Sequence, residues 1–244
     1  MFRRQKATAG GACQTREDLT PGPASRKIGC MSLDESNRIH GWGERLADGM
    51  VHGAAIAAAL FGGGFVLARA IGGGTNQLAV LCIYAAALVA MLSISAAYNL
   101  MPESPAKNVL RRLDHSAIYV LIAATYTPLL VQLHQAWLAI VLAVVVWLGA
   151  GFGVVVKLLN PGRHDRLSVL AYLALGWVGV LAAYAFWQAL PGATLILIAV
   201  GGLVYSAGVP FYLWERLKYH RAIWHGFVTA AAACHFVGIA GLYL

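Results

Sequence analysis

One stretch decides the fold: residues 111–128, RRLDHSAIYVLIAATYTP. Two cations are followed at once by an apolar run, and Asp114 and His115 lie at the junction. An apolar run that continues this far enters a lipid bilayer as a helix. Because a carboxylate beside hydrocarbon is costly, Asp114 needs a partner or a function. The sequence therefore predicts that other polar groups meet Asp114 at the same membrane depth.

The composition is that of a membrane protein. The 244-residue chain is 59% hydrophobic and 11% charged, whereas soluble domains are about half apolar and about a quarter charged. The net charge of +8 is spread between apolar blocks rather than gathered on one basic face, which argues against a nucleic-acid partner. The four cysteines show neither metal-knuckle nor disulfide-framework spacing.

Seven apolar blocks follow a polar leader. They span about residues 50–71, 77–99, 115–134, 137–158, 167–189, 193–214 and 223–244. Each approaches the ~20 residues that a helix needs to cross the hydrocarbon core, and unbroken runs without alternation favour helices over strands. The prediction is an all-α integral membrane protein, with a bundle of seven transmembrane helices in residues 41–244.

Residues 1–40 form a separate predicted unit. They are polar, mix both charges and show no helical or strand period, so we predict a largely disordered leader. Two alternatives stay open. The leader is a regulatory tail, or translation starts near Met31.

Basic residues mark one side of the predicted bundle. They fall in the connectors after blocks two, four and six: Lys107, Arg111, Arg112, Lys157, Arg163, Arg166, Arg216, Lys218 and Arg221. The other three connectors contain no Lys or Arg, and Arg69 alone lies near them. By the positive-inside rule, the N-terminus is cytoplasmic and the C-terminus is outside, in a multi-pass protein of the cell (inner) membrane.

This topology collects polar side chains in one layer, the cytoplasmic third of the bundle. Four blocks contribute to the layer: Glu44, Asp48 and His52 from block one, Ser95, Tyr98 and Asn99 from block two, Asp114 and His115 from block three, and His225 from block seven. Structural interpretations stay open, namely a solvated first turn for Glu44 and Asp48 and an N-cap for Asp114. Each histidine is also open to being a buried, hydrogen-bonded imidazole. Their common depth favours a functional site.

Four segments resemble the hemolysin III family: SAAYN at 95–99, RRLDHSAIY at 111–119, TYTP at 125–128 and AIWHGFV at 222–228. That family is related to the progestin and adipoQ receptors and, more distantly, to the alkaline ceramidases. The resemblance covers roughly residues 40–244. It implies a seven-helix bundle with a zinc site near the cytoplasmic face, built in receptor members from three histidines with an aspartate that holds water. The implied chemistry is hydrolysis of a lipid amide by zinc-activated water.

The chain differs from that pattern at two of the three histidine positions. The Ser95 motif ends in Asn99, and Arg221 stands four residues before His225. Arginine offers no lone pair to a metal, and asparagine is a poorer zinc ligand than imidazole. A substitute zinc site is therefore expected from other residues of the layer: His225, His52, Asp114 and either Glu44 or Asp48.

Three functions stay open for a hemolysin III-type membrane protein with a polar, cytoplasm-facing cavity. The first is non-catalytic lipid sensing or membrane homeostasis. The second is metal-dependent hydrolysis of a lipid amide or ester, with Asp114 as general base and Ser95 or Asn99 stabilising the oxyanion. The family name records a third, a pore-forming cytolysin, but seven spans with basic cytoplasmic loops are typical of a resident membrane protein. The expected partners are the bilayer and a lipid ligand or substrate.

Overall fold

The computed structural model describes residues 42–71, 75–159 and 165–244. The leader at residues 1–40 lies outside these ranges, and its disorder stays a prediction. Within them the chain forms helices, joined by short turns, and no strand.

The described residues form eight α-helices and one 3-10 helix. In chain order these are α1 (Trp42–Ala70), α2 (Thr75–Leu100), α3 (Pro105–Leu130), α4 (Ala136–Leu159), α5 (Asp165–Gly176), the 3-10 helix Val178–Ala182, α6 (Ala183–Ala189), α7 (Gly192–Leu213) and α8 (His220–Ala240). The fifth apolar block is thus divided, since α5, the 3-10 helix and α6 follow one another through it.

Six segments of the described chain are long and apolar enough to cross a membrane. They are Trp42–Ala70, Thr75–Leu100, Ala136–Leu159, Leu167–Ala189, Gly192–Leu213 and His220–Ala240. The predicted class, a helical membrane protein, is confirmed. Helix α3 is not among the six, because polar and charged side chains are spread along it from Lys107 to Thr127.

Helix α3 is the most enclosed of the long helices. It packs against α2, α4, α5 and α8, and Ala123 and Ala124 are fully buried within it. Small residues permit this close packing. A Cβ atom built on Gly153 of α4 would lie 2.5 Å from the ring of Tyr119, so glycine is required at that crossing.

Helices that follow one another pack as neighbours, and the first also packs against the last. Contacts join α1 with α2, α2 with α3, α3 with α4 and α7 with α8, and α1 lies against α8 as well. With α5, the 3-10 helix and α6 counted as one segment, successive helical segments run antiparallel. The starts of α1, α3 and α8 and the end of α2 therefore lie at one end of the bundle, here called the basic end because most cations of the helix ends and connectors fall there.

The break in the fifth block is held by a side chain of α3. The Tyr126 hydroxyl donates a hydrogen bond to the Gly176 carbonyl (2.6 Å) and accepts one from the Gly179 amide (2.9 Å). Backbone groups freed inside a membrane segment need partners from the protein. Tyr126 supplies them, so the 3-10 helix is tolerated at this depth.

Candidate metal centre

Helix α1 presents an acid and an imidazole on one buried face. Asp48 and His52 are one turn apart, and they are 5% and 3% exposed. The Nδ1 atom of His52 lies 2.9 Å from the backbone oxygen of Asp48. Because a carbonyl oxygen only accepts, Nδ1 donates in this contact, and the lone pair of the ring is on Nε2.

Helix α8 brings a second imidazole to the same place. The Nδ1 atom of His225 lies 2.5 Å from Oδ1 of Asp48, across 177 positions of sequence. The rings of His52 and His225 meet edge to face, with centroids 4.4 Å apart. We call Asp48, His52 and His225 the Asp–His cluster. Their ligand atoms all lie within 4.8 Å of one another.

The donor set of the Asp–His cluster fits a divalent metal. Two imidazoles and one carboxylate are the ligand types found in catalytic zinc sites that keep one position open. Ligand atoms sit roughly 2 Å from zinc and hence within roughly 4 Å of one another. The spacing in the cluster, within 4.8 Å, is close to that value.

Asp114 lies beside the Asp–His cluster, as the sequence predicts. Its side chain is buried, and the Ser95 hydroxyl is its side-chain hydrogen-bond partner. It is also close enough to interact electrostatically with all three members of the cluster. The structure thus brings the predicted general base and the predicted metal ligands together.

The alternative of Asp114 as an N-cap is wrong. Helix α3 begins at Pro105, and Ser104 is the cap, with its hydroxyl accepting a hydrogen bond from the Lys107 amide at 3.3 Å. Asp114 therefore lies in the third turn of the helix. Its burial there is not explained by capping.

Asn99 lies one turn beyond Ser95 on α2. Its amide nitrogen donates to the Ser95 carbonyl at 2.9 Å and approaches the Ser95 hydroxyl at 3.4 Å. Both contacts are with its own helix. The structure therefore gives Asn99 a contact that orients Ser95, rather than a contact with the Asp–His cluster.

Glu44 has a different partner from Asp48. Its Oε1 atom accepts a hydrogen bond from the Tyr219 amide at 2.9 Å, immediately before α8. Tyr219 has a φ of 63°, in the left-handed region that is unfavourable for a bulky residue. Glu44 thus holds the strained entry to α8, and among the two acids that the sequence leaves open, Asp48 belongs to the cluster.

The remaining histidines of these helices are not members of the Asp–His cluster. The backbone oxygen of His115 accepts a hydrogen bond from the Tyr172 hydroxyl at 2.9 Å. His220 begins α8, and His235 lies ten residues beyond His225, about 15 Å along the helix axis. The predicted polar layer contains all three members of the Asp–His cluster, and common depth does not distinguish them from their neighbours in the layer.

Arg221 lies at the site, although a search of the sequence for metal-binding residue types would not select it. It interacts electrostatically with Asp48 and lies one turn before His225 on α8. The signal is present in the sequence as the i, i+4 spacing. A search for metal ligands excludes it, because a guanidinium group cannot bind a metal.

Comparison with known proteins agrees with this architecture. Residues 41–236 match the family described as Haemolysin-III related. The Hemolysin-3 homolog of Bacillus subtilis (strain 168) is 33% identical over 194 residues, which cover 79% of this chain and 91% of that protein. Hemolysin-3 of Bacillus cereus is 32% identical over 164 residues, or 67% and 75% of the two chains. The Monocyte to macrophage differentiation factor of Homo sapiens is 30% identical over 165 residues, or 64% and 67%.

Proposed function

Since the chain belongs to the hemolysin III family, we propose that it is a seven-span membrane protein whose Asp–His cluster holds zinc and supports hydrolysis of a lipid amide or ester. The observation that carries the proposal is the convergence of Asp48, His52 and His225 within 4.8 Å. Asp114, next to them, supplies a second carboxylate for proton transfer. The site would open toward the cytoplasm.

The seventh span in this proposal is α3. Its 26 residues give a length of about 39 Å, enough to cross the hydrocarbon core. It packs between α2 and α4, both of which qualify as spans, and its polar side chains Asp114 and Tyr126 point into the protein. Seven spans put the two termini on opposite sides, and the cations of the basic end favour a cytoplasmic N-terminus.

The ligands in this proposal are Asp48 and the two imidazoles of the Asp–His cluster. The hydrogen bond from Nδ1 of His52 to a backbone oxygen fixes the tautomer whose Nε2 atom binds metal. The Nδ1 atom of His225 faces the Asp48 carboxylate, so a metal ion held between them would be bound by Nδ1 of His225 and by an oxygen of Asp48. Zinc bound there supplies a Lewis acid that lowers the pKa of a bound water.

The chain's own residues then handle the proton. Asp114 accepts a proton from the attacking water as oxygen adds to the substrate carbonyl. It returns that proton to the leaving nitrogen or oxygen as the carbonyl–heteroatom bond breaks. Ser95 holds the Asp114 carboxylate in position, and Asn99 holds Ser95. The helix face of α2 thus orients the general base on α3.

A second candidate, non-catalytic lipid sensing, is favoured by the burial of the site. The members of the Asp–His cluster are 3–9% exposed and Asp114 is 8% exposed, which leaves little room for a lipid carbonyl. A closed polar cluster that joins α1, α3 and α8 would respond to the bilayer through the packing of those helices. Membrane homeostasis is the function expected of such a protein.

Metal analysis of the purified chain tests the proposal. We expect about one zinc per chain in the wild type and none in His225→Ala. The matched control is His235→Gln, since it changes a histidine of the same helix outside the Asp–His cluster. Absence of metal from wild-type protein purified without chelator, with none taken up on adding zinc, would refute the metal centre.

A turnover assay separates the two candidate functions. Vesicles containing the protein are incubated with lipid amides and esters, and the products are measured by mass spectrometry. Asp114→Asn is the diagnostic variant, because the hydrolase proposal expects it to keep zinc and lose turnover. Zinc without turnover in the wild type would support the sensing function instead.

A further inference from the structure

Three arginines lie one helical turn from three residues of the site, each pair on a different helix. The pairs are Arg45 with Asp48 on α1, Arg111 with Asp114 on α3, and Arg221 with His225 on α8. Residues three or four apart share a helix face and are separated by about 5–6 Å. In each pair the arginine is on the side of the basic end. We call these three residues the arginine layer.

Members of the arginine layer have two electrostatic partners in common, Tyr98 and Glu103. Arg111 and Arg221 both interact electrostatically with the phenol of Tyr98, which is half-buried near the end of α2. Arg45 and Arg221 both interact with Glu103, in the turn that follows. Cations from three helices thus share neighbours above the Asp–His cluster.

A fourth cation lies at the edge of that region. The Lys107 ammonium group is 5.8 Å from the centroid of the Tyr98 ring and 2.8 Å from the Glu103 carboxylate. Glu103 is almost fully exposed at its side chain, so it neutralises part of the charge from outside. Positive charge therefore predominates between the bulk solvent and the cluster.

On this basis, and resting on the proposed metal centre, we propose that the ligand of the site is a lipid with an anionic headgroup, bound through its phosphate or carboxylate by the arginine layer. Guanidinium groups match the paired oxygens of these anions with two parallel hydrogen bonds. A neutral amide lipid would not use three such groups. The headgroup charge would hold the lipid with its reactive bond directed toward the Asp–His cluster.

The surface around the arginine layer suits a lipid better than a free anion. The layer lies at the ends of membrane-crossing helices, which is the depth of the headgroups. Next to Arg45, the side chains of Leu46 and Met50 are exposed along α1. They offer apolar surface for an acyl chain whose headgroup is held by the arginines.

The positive-inside rule explains why cations gather at the basic end, but it does not explain their spacing from the site. Arg112 shows the difference. It is adjacent to Arg111 and has the same charge and depth, yet its Nη1 atom donates to the Leu158 carbonyl on α4 at 3.3 Å, away from the Asp–His cluster. Arg112 therefore serves as the matched control for the arginine layer.

The test measures lipid selectivity in vesicles that contain the full chain. Spin-labelled phosphatidylglycerol and phosphatidylcholine are compared by electron paramagnetic resonance, which gives the fraction of each lipid immobilised on the protein. The variants are Arg221→Gln, Arg45→Gln and the control Arg112→Gln. Each preparation is also analysed for zinc, and one series contains excess inorganic phosphate.

We expect the wild type to prefer phosphatidylglycerol and each arginine-layer variant to lose roughly tenfold in that preference, the size of one charge-assisted hydrogen bond. Arg112→Gln keeps the preference, and so does wild type in inorganic phosphate. Equal losses in Arg112→Gln and Arg221→Gln would reduce the layer to general surface charge and overturn the proposal. Displacement by inorganic phosphate would overturn the lipid assignment.

Zinc content separates this proposal from the metal centre. Arg45→Gln is expected to keep the zinc of the wild type while it loses lipid preference. A wild type that prefers phosphatidylglycerol but takes up no zinc would refute the metal centre and leave the headgroup site standing. A wild type that binds zinc but shows no lipid preference would refute the headgroup site and leave the metal centre standing.

Discussion

Two of the histidines of helix α8, His225 and His235, have different partners. His225 is buried against the carboxylate of Asp48 and the ring of His52. His235, ten residues later, has its Nε2 atom 3.1 Å from the Ile198 carbonyl, and its ring lies 5.6 Å from that of Tyr205. One imidazole meets a carboxylate and a second imidazole, and the other meets a backbone carbonyl and a phenol ring.

The difference teaches what distinguishes a histidine in a potential metal-donor set from a histidine that is only packed and hydrogen-bonded. Burying a polar ring is costly, and either environment offsets that cost with a hydrogen bond. At His235 the ring is hydrogen-bonded to the Ile198 carbonyl and packs against Tyr205, and neither contact adds a further imidazole or carboxylate. At His225 the partners are themselves metal-binding groups, so the same residue type becomes part of a donor set.

Replacement of Asp48 should have the largest effect on this contrast. We expect Asp48→Asn to lower zinc affinity roughly 100-fold, because it removes the carboxylate of the proposed metal centre. Titration of the purified protein with zinc, followed by calorimetry, measures the change. Unchanged affinity would mean that the Asp–His cluster is only a hydrogen-bonded contact between α1 and α8.

The packing around His235 should produce the next largest effect. A Cβ atom on Gly201 of α7 would clash with the His235 ring and lie 3.1 Å from the Ala231 carbonyl. We expect Gly201→Ala to lower the free energy of unfolding by roughly 2 kcal/mol through overpacking, measured by thermal melting in detergent. Zinc stoichiometry should not change, since this region is about 15 Å from the cluster.

A double substitution sharpens that expectation. In Gly201→Ala combined with His235→Ala, the smaller side chain removes the ring part of the clash. The two stability changes should therefore be less than additive, as expected for residues in contact. Additive losses would show that the Ala231 backbone, rather than the histidine ring, sets the requirement for glycine.

Much of the fold was predictable because long apolar runs carry their own signal. The block at 77–99 became Thr75–Leu100, and the block at 193–214 became Gly192–Leu213. The break at Val178–Ala182 was not predictable, since its partner Tyr126 is about fifty positions away in sequence. The early start of α3 at Pro105 was missed because its first turns carry charges, which the apolar pattern excludes.

The sequence was enough to predict the membrane depth of the site, but not which of its residues contact one another. Helical periodicity places Glu44 and Asp48 on one face, and it cannot distinguish between them. The choice depends on where α8 begins, and that point is fixed by the left-handed Tyr219. This contact joins residues that are far apart in the chain, and no local sequence pattern indicates it.

Glu44 should have a smaller, indirect effect on the Asp–His cluster. We expect Glu44→Ala to cost about 1 kcal/mol of stability, the value of its hydrogen bond to the Tyr219 amide. Zinc affinity should fall by less than in Asp48→Asn, because only the position of α8 is disturbed. Tyr219→Gly is the control, since it relieves the backbone strain and keeps the amide. An effect of Glu44→Ala on zinc as large as that of Asp48→Asn would make Glu44 a ligand.

The smallest effect on stability is expected at an exposed ion pair, Glu103 with Lys107. It shares with Asp48 and His52 only the separation of four residues. Glu103 and Lys107 are four residues apart with 2.8 Å between charged atoms, closer than the 3.6 Å between Asp48 and His52. Glu103 is exposed to solvent, which screens the attraction, so we expect Glu103→Gln to change stability by less than about 0.5 kcal/mol.

The hydrogen bond from the Lys107 ammonium lowers the pKa of the Glu103 carboxyl. Because this folded pKa lies below the unfolded one, the small stabilisation is present at neutral pH and is lost as the pH falls through the folded value. Melting temperatures of wild type and Glu103→Gln, compared at neutral and acidic pH, measure it, and a difference of several degrees would mean that distance rather than burial sets the strength of these pairs.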